Sequence, residues 1–262
     1  MSSAPFIFLS PALPAELLTY ILSYHTYPTT LIVCASRSDF LASLADEARR
    51  EVEAGVPSPP AAGGVDPQQV PEEATDSRTE QRLGRHRLAS APLHQVATSR
   101  HLRVAFVPTV THLRAYLAVF SPDASKVPPP PSAPQEQPRQ LPGRWPAPPR
   151  LVLYGFLALH HDTSEWSAQG LADSAAVAVE LGHRMSWKVV LVEPRRPATA
   201  PAPAFEDVLR EAVPILGGGG RRAGLGSEEG RWAGRTVEVG RVMKRWFRFQ
   251  RGPWDDEPKK EE

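Results

Sequence analysis

The residues with the clearest potential for binding chemistry lie near the carboxyl end of the sequence. Residues 231–235 place arginines on either side of Trp232, and residues 240–251 interleave basic with aromatic side chains. Cations neutralise phosphates and aromatic rings stack on unpaired bases, which together are typical of proteins that bind single-stranded nucleic acid. The candidate nucleic-acid-binding residues are Arg235, Arg241, Lys244, Arg245, Trp246 and Arg248.

The same segment has a second, purely structural interpretation. Its apolar residues follow the spacing of one helix face, namely Val239, Val242, Met243 and Trp246. On this interpretation they belong to the core, and the basic residues are only the solvated side of that helix. The pattern leaves both interpretations open.

The other polar residues have types used in catalysis but not the spacing that catalysis needs. His160 and His161 are adjacent, so on an extended segment they would point to opposite sides, and no third cluster stands at metal-ligand spacing. Ser164 and Ser167 lack the flanking glycines of a hydrolase nucleophile and stand where a helix needs an N-cap. We therefore predict no catalytic residue, no metal site and no cofactor.

Cys34 is the only cysteine, which excludes a disulfide framework or a cysteine-based zinc site within one chain. It ends an apolar run with no residue nearby that would lower its thiol pKa, so we predict a small buried side chain. Glycines 217–220 follow no strand and precede no Lys-Ser or Lys-Thr pair. We interpret them as a flexible loop and not as a phosphate-binding loop.

The composition excludes a strong overall attraction to nucleic acid or membranes. The 262 residues carry 30 basic and 29 acidic side chains, a formal net charge of +1, so any such attraction must be local. No apolar stretch reaches membrane-spanning length, and residues 1–10 have no basic segment before their apolar residues. We therefore expect a protein of the nucleus or cytoplasm that does not enter a membrane.

The elements that would position these residues alternate between strand and helix. Residues 29–34 form a β-branched, apolar strand before a helix that Ser38 would cap. Residues 102–107 predict a second strand, and Thr109 or Thr111 opens the helix after it.

Residues 151–159 form the most apolar predicted strand, and the helix after it has the clearest pattern in the chain. Its stripe of small and apolar residues at the helical period comprises Ala168, Leu171, Ala172, Ala175, Ala176, Val179 and Gly182. Residues 188–192 supply the next strand. Strands that alternate with helices imply right-handed crossovers, so we predict an α/β fold with a mainly parallel sheet flanked by helices.

Three segments rich in proline, glycine or charged residues interrupt this pattern, at about residues 54–90, 121–149 and 217–230. The chain has 29 prolines, well above the usual share. These segments offer too little apolar surface to offset their ordering entropy. We predict a single domain over residues 1–252 with disordered inserts, and a disordered tail over residues 253–262 that includes Trp254.

The order of these elements resembles the core of RecA-type recombinase paralogues, which have the P-loop NTPase fold. In that family a Walker B strand leads through a polar turn containing serine and glycine into a helix and a following strand. Residues 151–159, the turn at residues 163–170 and the strand at residues 188–192 follow the same layout. The resemblance covers roughly the ordered part of the chain and implies a RecA-like fold.

The chain departs from a nucleotide-binding member at both Walker motifs. Before the helix predicted over residues 12–24, the sequence reads Phe8-Leu9-Ser10-Pro11-Ala12-Leu13-Pro14, where a Gly-rich loop ending in Lys-Ser or Lys-Thr is required. Prolines also lack the N–H groups that a phosphate would use. After the apolar strand, Gly155 follows Tyr154 where the Walker B acid should stand.

Two groups of small RecA-like proteins are similar in lacking these motifs: recombination-mediator subunits of the Shu type and the small RecA-like subunits of Elongator. The resemblance implies a non-catalytic interaction subunit of a DNA recombination and repair complex, with other RecA-like subunits as partners in a hetero-oligomer. Single-stranded DNA or RNA is a further ligand if the basic segment binds it. The alternatives are an Elongator-type subunit in tRNA modification and an enzyme with an unrecognised site.

Overall fold

The computed structural model describes residues 6–23, 27–54, 93–122, 127–128, 150–195, 205–216 and 235–255. The predicted inserts lie largely outside these ranges, as do glycines 217–220 and residues 231–234 of the basic and aromatic segment. Four residues of the second predicted insert are described: Ser121, Pro122, Val127 and Pro128. The carbonyl of Val127 accepts a hydrogen bond from Tyr27, and that of Pro128 lies 2.7 Å from Nδ1 of His101.

Six strands form one sheet in which every pair is parallel. The strands are β1 (Ile7–Ala12), β2 (Thr29–Val33), β3 (Leu102–Phe106), β4 (Arg150–Tyr154), β5 (Lys188–Pro194) and β8 (Arg248–Gln250). Their order across the sheet is β3-β2-β4-β5-β1-β8. Two further strands, β6 (Ala212–Pro214) and β7 (Thr236–Glu238), form a separate antiparallel pair. The predicted α/β class and parallel sheet are confirmed.

Helices cover both faces of the sheet. They are α1 (Pro14–Ser23), α2 (Arg37–Ala54), α3 (Leu93–Ser99), α4 (Val110–Ala118), α5 (Phe156–His160), α6 (Ala168–Met185), α7 (Phe205–Arg210) and α8 (Val239–Met243). One face packs side chains such as Phe8 and Leu153 against α4, α5, α6 and α8. The other packs side chains such as Leu31 and Val152 against α1 and α2. The central strands are therefore apolar on both sides, as a buried parallel sheet requires.

The predicted strand over residues 151–159 is in fact two elements. β4 ends at Tyr154, Gly155 adopts a left-handed conformation (φ 86°) that suits glycine, and α5 follows at once. The carboxylate of Glu193 accepts hydrogen bonds from the N–H groups of Leu157 and Ala158 at 2.7 and 3.2 Å. Because residues 151–159 carry no charged side chain and are almost all apolar, their sequence has no period that separates a strand from a helix.

The helix caps agree with the prediction at two of three sites. Thr109 and Ser167 accept hydrogen bonds from the N–H groups three residues further on, and so cap α4 and α6. The predicted cap Ser38 is wrong, because α2 begins one residue before it. Ser36 accepts the hydrogen bond from the Asp39 N–H instead, at 3.1 Å.

The buried face of α6 is rotated relative to the predicted stripe. Leu171, Ala175 and Gly182 are buried as predicted, while Ala168, Ala172, Ala176 and Val179 are only half-buried. Ser174 is fully buried and lies at the centre of this face. A serine hydroxyl is buried where it finds hydrogen-bond partners, and this one has partners on two other helices.

Those partners form a closed polar network between α4, α5 and α6. Nδ1 of His160 lies 2.8 Å from the Phe156 carbonyl, which can only accept, so Nδ1 carries the proton. Nε2 then accepts the Ser174 hydroxyl at 2.8 Å, and Ser174 accepts from Nε of Arg114 at 2.8 Å. Arg114 also donates to Glu165 at 2.6 Å and to the Gly170 carbonyl at 2.9 Å. His160 is therefore a satisfied core histidine.

This network predicts a loss of stability on acidification. Burial lowers the pKa of His160 below its ordinary 6.5, and the hydrogen bond to Phe156 opposes this effect only in part. The unfolded chain therefore binds more protons than the folded chain below about pH 6.5, so stability is complete above that pH and falls as pH decreases. His160→Gln should remove this part of the pH dependence, which urea unfolding at about pH 7.5 and 5.5 measures.

The matched control is His112→Gln, because His112 lies on the exposed side of α4. This variant should keep the pH dependence of the wild type. The network would not be its source if His160→Gln and the wild type lost the same free energy of unfolding between the two pH values.

Candidate nucleic-acid interface and the carboxyl end of the sheet

The connection between β1 and α1 is too short to hold phosphates. β1 ends at Ala12 and α1 begins at Pro14, so Leu13 alone joins them. A phosphate-binding loop instead needs several Gly-rich residues whose N–H groups surround the anion. The single residue between β1 and α1 therefore leaves no room for a Walker A loop, whose motif is also missing from the sequence.

The N–H groups at the start of α1 are held by the chain's own carboxylates. The Leu13 N–H donates to Glu16 at 2.8 Å, and the Ala15 N–H donates to Glu47 at 2.9 Å. Pro14 has no N–H to offer. These are the donors that bind phosphate at a helix N-terminus, so an incoming phosphate would meet two carboxylates in their place.

The carbonyl groups at the end of β1 also have partners within the chain. Arg195, directly after β5, donates to the Pro11 carbonyl at 3.2 Å and pairs with Glu16 and Asp255 at 3.0 Å each. Nε1 of Trp254 donates to the same Pro11 carbonyl at 2.9 Å. The ordered structure thus continues to Asp255, three residues beyond the boundary suggested by the sequence.

A buried acid lies on β5, the strand beside β4. Glu193 of β5 is 6% exposed, and its carboxylate caps α5. Burial, with a smaller effect of the Glu193 charge, raises the pKa of Cys34 well above its ordinary value. The prediction of a small, buried Cys34 side chain is confirmed. The sequence analysis did not predict that Glu47 and Glu193 are buried. Only Glu193 has a sign of this in the sequence, because it is an acid within an apolar strand.

The basic and aromatic segment divides between core and surface. Val239, Val242, Met243 and Phe247 are buried in the core. Arg235, Arg241, Lys244, Arg245 and Arg248 are exposed. None of these five cations pairs with a carboxylate within the described residues. Both interpretations of the segment therefore hold, each for different residues.

Four of the five exposed cations lie on consecutive elements near the edge of the sheet. Arg241 lies in α8, Lys244 and Arg245 lie in the turn that follows, and Arg248 begins β8 at the edge of the sheet. We call these four the β8 basic cluster. Arg235 stands apart, directly before β7.

Trp246 differs from the cations around it. Its ring is half-buried against the core, and its indole N–H is buried without a hydrogen-bond partner among the described residues. Base stacking on this ring stays a prediction, but the cations of the cluster are the more accessible groups.

The structure does not bring the other polar candidates together into a site. Nδ1 of His161 lies 2.9 Å from Oδ2 of Asp162, and Nε2 of the same ring lies 3.6 Å from Oε2 of Glu211. The ring is partly exposed and packs beside Trp166. Across the ranges that the structure describes, no three His, Cys, Asp or Glu side chains are grouped so as to hold a metal ion. Within the same ranges, every helix is too short or too polar to span a bilayer.

Comparison of the chain with protein-family models, curated proteins and solved structures finds no match. Its function must therefore be inferred from its own residues.

The carboxyl end of the sheet predicts that ATP does not bind. Calorimetric titration with ATP and Mg²⁺ up to millimolar concentration should give no heat of binding. The reason is that the start of α1 offers carboxylates and a proline in place of free N–H donors. A micromolar dissociation constant would show that the nucleotide has another site.

Proposed function

We propose that this chain is a RecA-like interaction subunit without ATPase activity that acts in a DNA recombination and repair complex. The observation that carries the proposal is the connection between β1 and α1. A single residue replaces the phosphate loop, and Glu16 and Glu47 hold the N–H groups that would bind phosphate. On this proposal the chain keeps a layout that resembles a nucleotide-binding fold, while the N–H donors needed to hold a phosphate are taken up at this end of the described sheet.

The arrangement of the strands supports the RecA-like part of the proposal. In a P-loop enzyme, a hydroxyl after the first strand and the Walker B acid hold one Mg²⁺ ion, so their strands must end close together. Here β1 and β4 lie on either side of β5, roughly 10 Å apart. The strand resembling Walker B therefore has the required relation to β1, although Gly155 stands in place of the acid.

The two edges of the sheet offer two different surfaces for partners. All residues of β3 are at least partly exposed, and Val104 at 43% is an exposed large apolar residue of that edge. An edge strand has free N–H and C=O groups that a second chain can pair with. We assign the β3 edge to a RecA-like protein partner, and the opposite edge, with the β8 basic cluster, to single-stranded nucleic acid.

The cluster can be tested without disturbing the core. Changing Arg241, Lys244 and Arg245 to Glu should weaken binding to a labelled single-stranded oligonucleotide. The slope of log K against the logarithm of salt concentration should also become less steep by about 2, because each of three lost phosphate contacts contributes about 0.7. The melting temperature should change little because the three side chains are exposed. Trp246→Ala, by contrast, should cost about 3 kcal/mol, since its ring packs on the core.

The control carries the same change of charge on another helix. Arg37, Arg49 and Arg50 are exposed residues of α2, and changing all three to Glu should leave the salt dependence close to that of the wild type. If the wild type shows no salt-sensitive binding, alone or with its partner, the nucleic-acid part of the proposal is wrong.

The protein partner can be tested by affinity purification and mass spectrometry. RecA-like recombination proteins should co-purify with the wild type and be lost with Val104→Asp, which places a charge on the β3 edge. Val119→Asp is the control, because Val119 is 79% exposed at the end of α4 and is not part of the edge strand. Recovery of Elongator subunits would favour the role in tRNA modification, and recovery of metabolic enzymes would favour an unrecognised catalytic site.

A further inference from the structure

A groove of about 470 Å³ opens on the face of the sheet that α1 and α2 cover. Its floor consists of Ile7, Leu9 and Val190, and Tyr20 of α1 stands on one side. The residues directly after β8 form the opposite side. The volume lies within the range of sites that bind organic ligands. The groove is distinct from the carboxyl end of β1, where a nucleotide would be expected.

Two cations stand side by side at the amino-terminal end of this groove. Arg150 begins β4 and Lys188 begins β5, and the two residues are partners in the register of these neighbouring strands. Their side chains therefore leave the same face of the sheet, from strands about 4.8 Å apart. Both are half-buried, and neither pairs with a carboxylate of the described residues.

The hydrogen bonding of this pair is incomplete. Nη1 of Arg150 donates to the Tyr20 hydroxyl at 3.2 Å, but its Nε is buried without a partner in the structure described. Burial lowers the pKa of Lys188, and the neighbouring charge of Arg150 acts in the same direction. Like charges that share a half-buried site are unfavourable unless an anion neutralises them. The groove thus has the electrostatics of an anion site.

The basic character continues across the groove to the edge of the sheet. Arg251 lines the side opposite Arg150 and Lys188. Arg248 is the register partner of Ile7, so it leaves the sheet on the face that forms the floor. Arg248 is the member of the β8 basic cluster that stands on this face. A small anion could neutralise Arg150 and Lys188, whereas a chain of phosphates can extend from this pair toward Arg248 and Arg251.

We propose that this groove binds a phosphodiester segment of single-stranded nucleic acid, with phosphates at Arg150, Lys188 and Arg251. The proposal rests on the nucleic-acid part of the proposed function and gives the strand its path from the β8 basic cluster across the sheet. The apolar floor and the Tyr20 ring provide a surface for a base, because every base has an apolar face that aromatic and aliphatic side chains can cover.

The test is fluorescence anisotropy of the full chain with a labelled oligothymidylate at several salt concentrations. The variant Arg150→Met with Lys188→Met keeps much of the length of both side chains and removes both charges. Two lost phosphate contacts should lower the salt dependence of log K by about 1.4. The melting temperature should stay unchanged or rise, because a repulsive pair has been removed. The α2 variant with Arg37, Arg49 and Arg50 changed to Glu is the control.

The outcomes separate this inference from the function on which it rests. If the groove variant keeps the wild-type salt dependence while the variant of Arg241, Lys244 and Arg245 loses binding, the strand does not enter the groove and the inference is wrong. If the wild type does not bind the oligonucleotide with or without its partner, the proposed nucleic-acid function fails as well. A third outcome combines two results: pyrophosphate raises the melting temperature of the wild type but not of the groove variant, and the groove variant binds the oligonucleotide with the wild-type salt dependence. In that case the inference is wrong and the site holds a small anion instead.

Discussion

A parallel sheet must be covered by helices on both faces. In this chain, the positions of the covering helices decide which parts of the sheet stay open to a ligand or a partner. One face is packed against α4, α5, α6 and α8 over most of its width. The other has α1 and α2 over its central strands, which leaves the side of β1 and β8 open as a groove. The open groove and the exposed edges β3 and β8 are therefore consequences of the same arrangement of helices.

At the carboxyl end of the sheet, the starts of two helices have their N–H groups satisfied within the chain. The N-terminus of a helix carries a partial positive charge and free N–H groups, which a phosphate satisfies in nucleotide-binding proteins. In this chain Glu47 supplies the negative charge to α1, and Glu193 supplies it to α5. Glu47 therefore ties the start of α1 to α2, and Glu193 ties the start of α5 to β5, without a ligand. A negatively charged nucleotide at the same place would compete with these contacts.

The order of the elements could be predicted because strand and helix patterns are local. The misplaced boundaries have tertiary causes. β4 and α5 merge in the sequence because both are apolar, and only the left-handed Gly155 and the distant Glu193 separate them. The face of α6 was misplaced because Ser174 is polar and yet buried, a state that depends on His160 and Arg114 from other helices.

The candidate site could be predicted only where its residues are neighbours in sequence. Arg241, Lys244, Arg245 and Arg248 are close in the chain, so their pattern is visible without a structure. Arg150 and Lys188 are far apart in sequence, and only the register of β4 with β5 brings them together. Neither residue carries a local sign of this role, since a basic residue at the start of a strand is ordinary.

The two interpretations of the basic segment do not compete, because the segment is a helix followed by an edge strand. In α8 and the turn after it, Val242 and Met243 enter the core while Arg241, Lys244 and Arg245 stay exposed. Side chains alternate along a strand, so in β8 Phe249 packs on Phe8 with ring centroids 5.0 Å apart, while Arg248 and Gln250 leave the opposite face. The change from helix to strand after Phe247 therefore places Arg248 on the face of the sheet that carries Arg150 and Lys188.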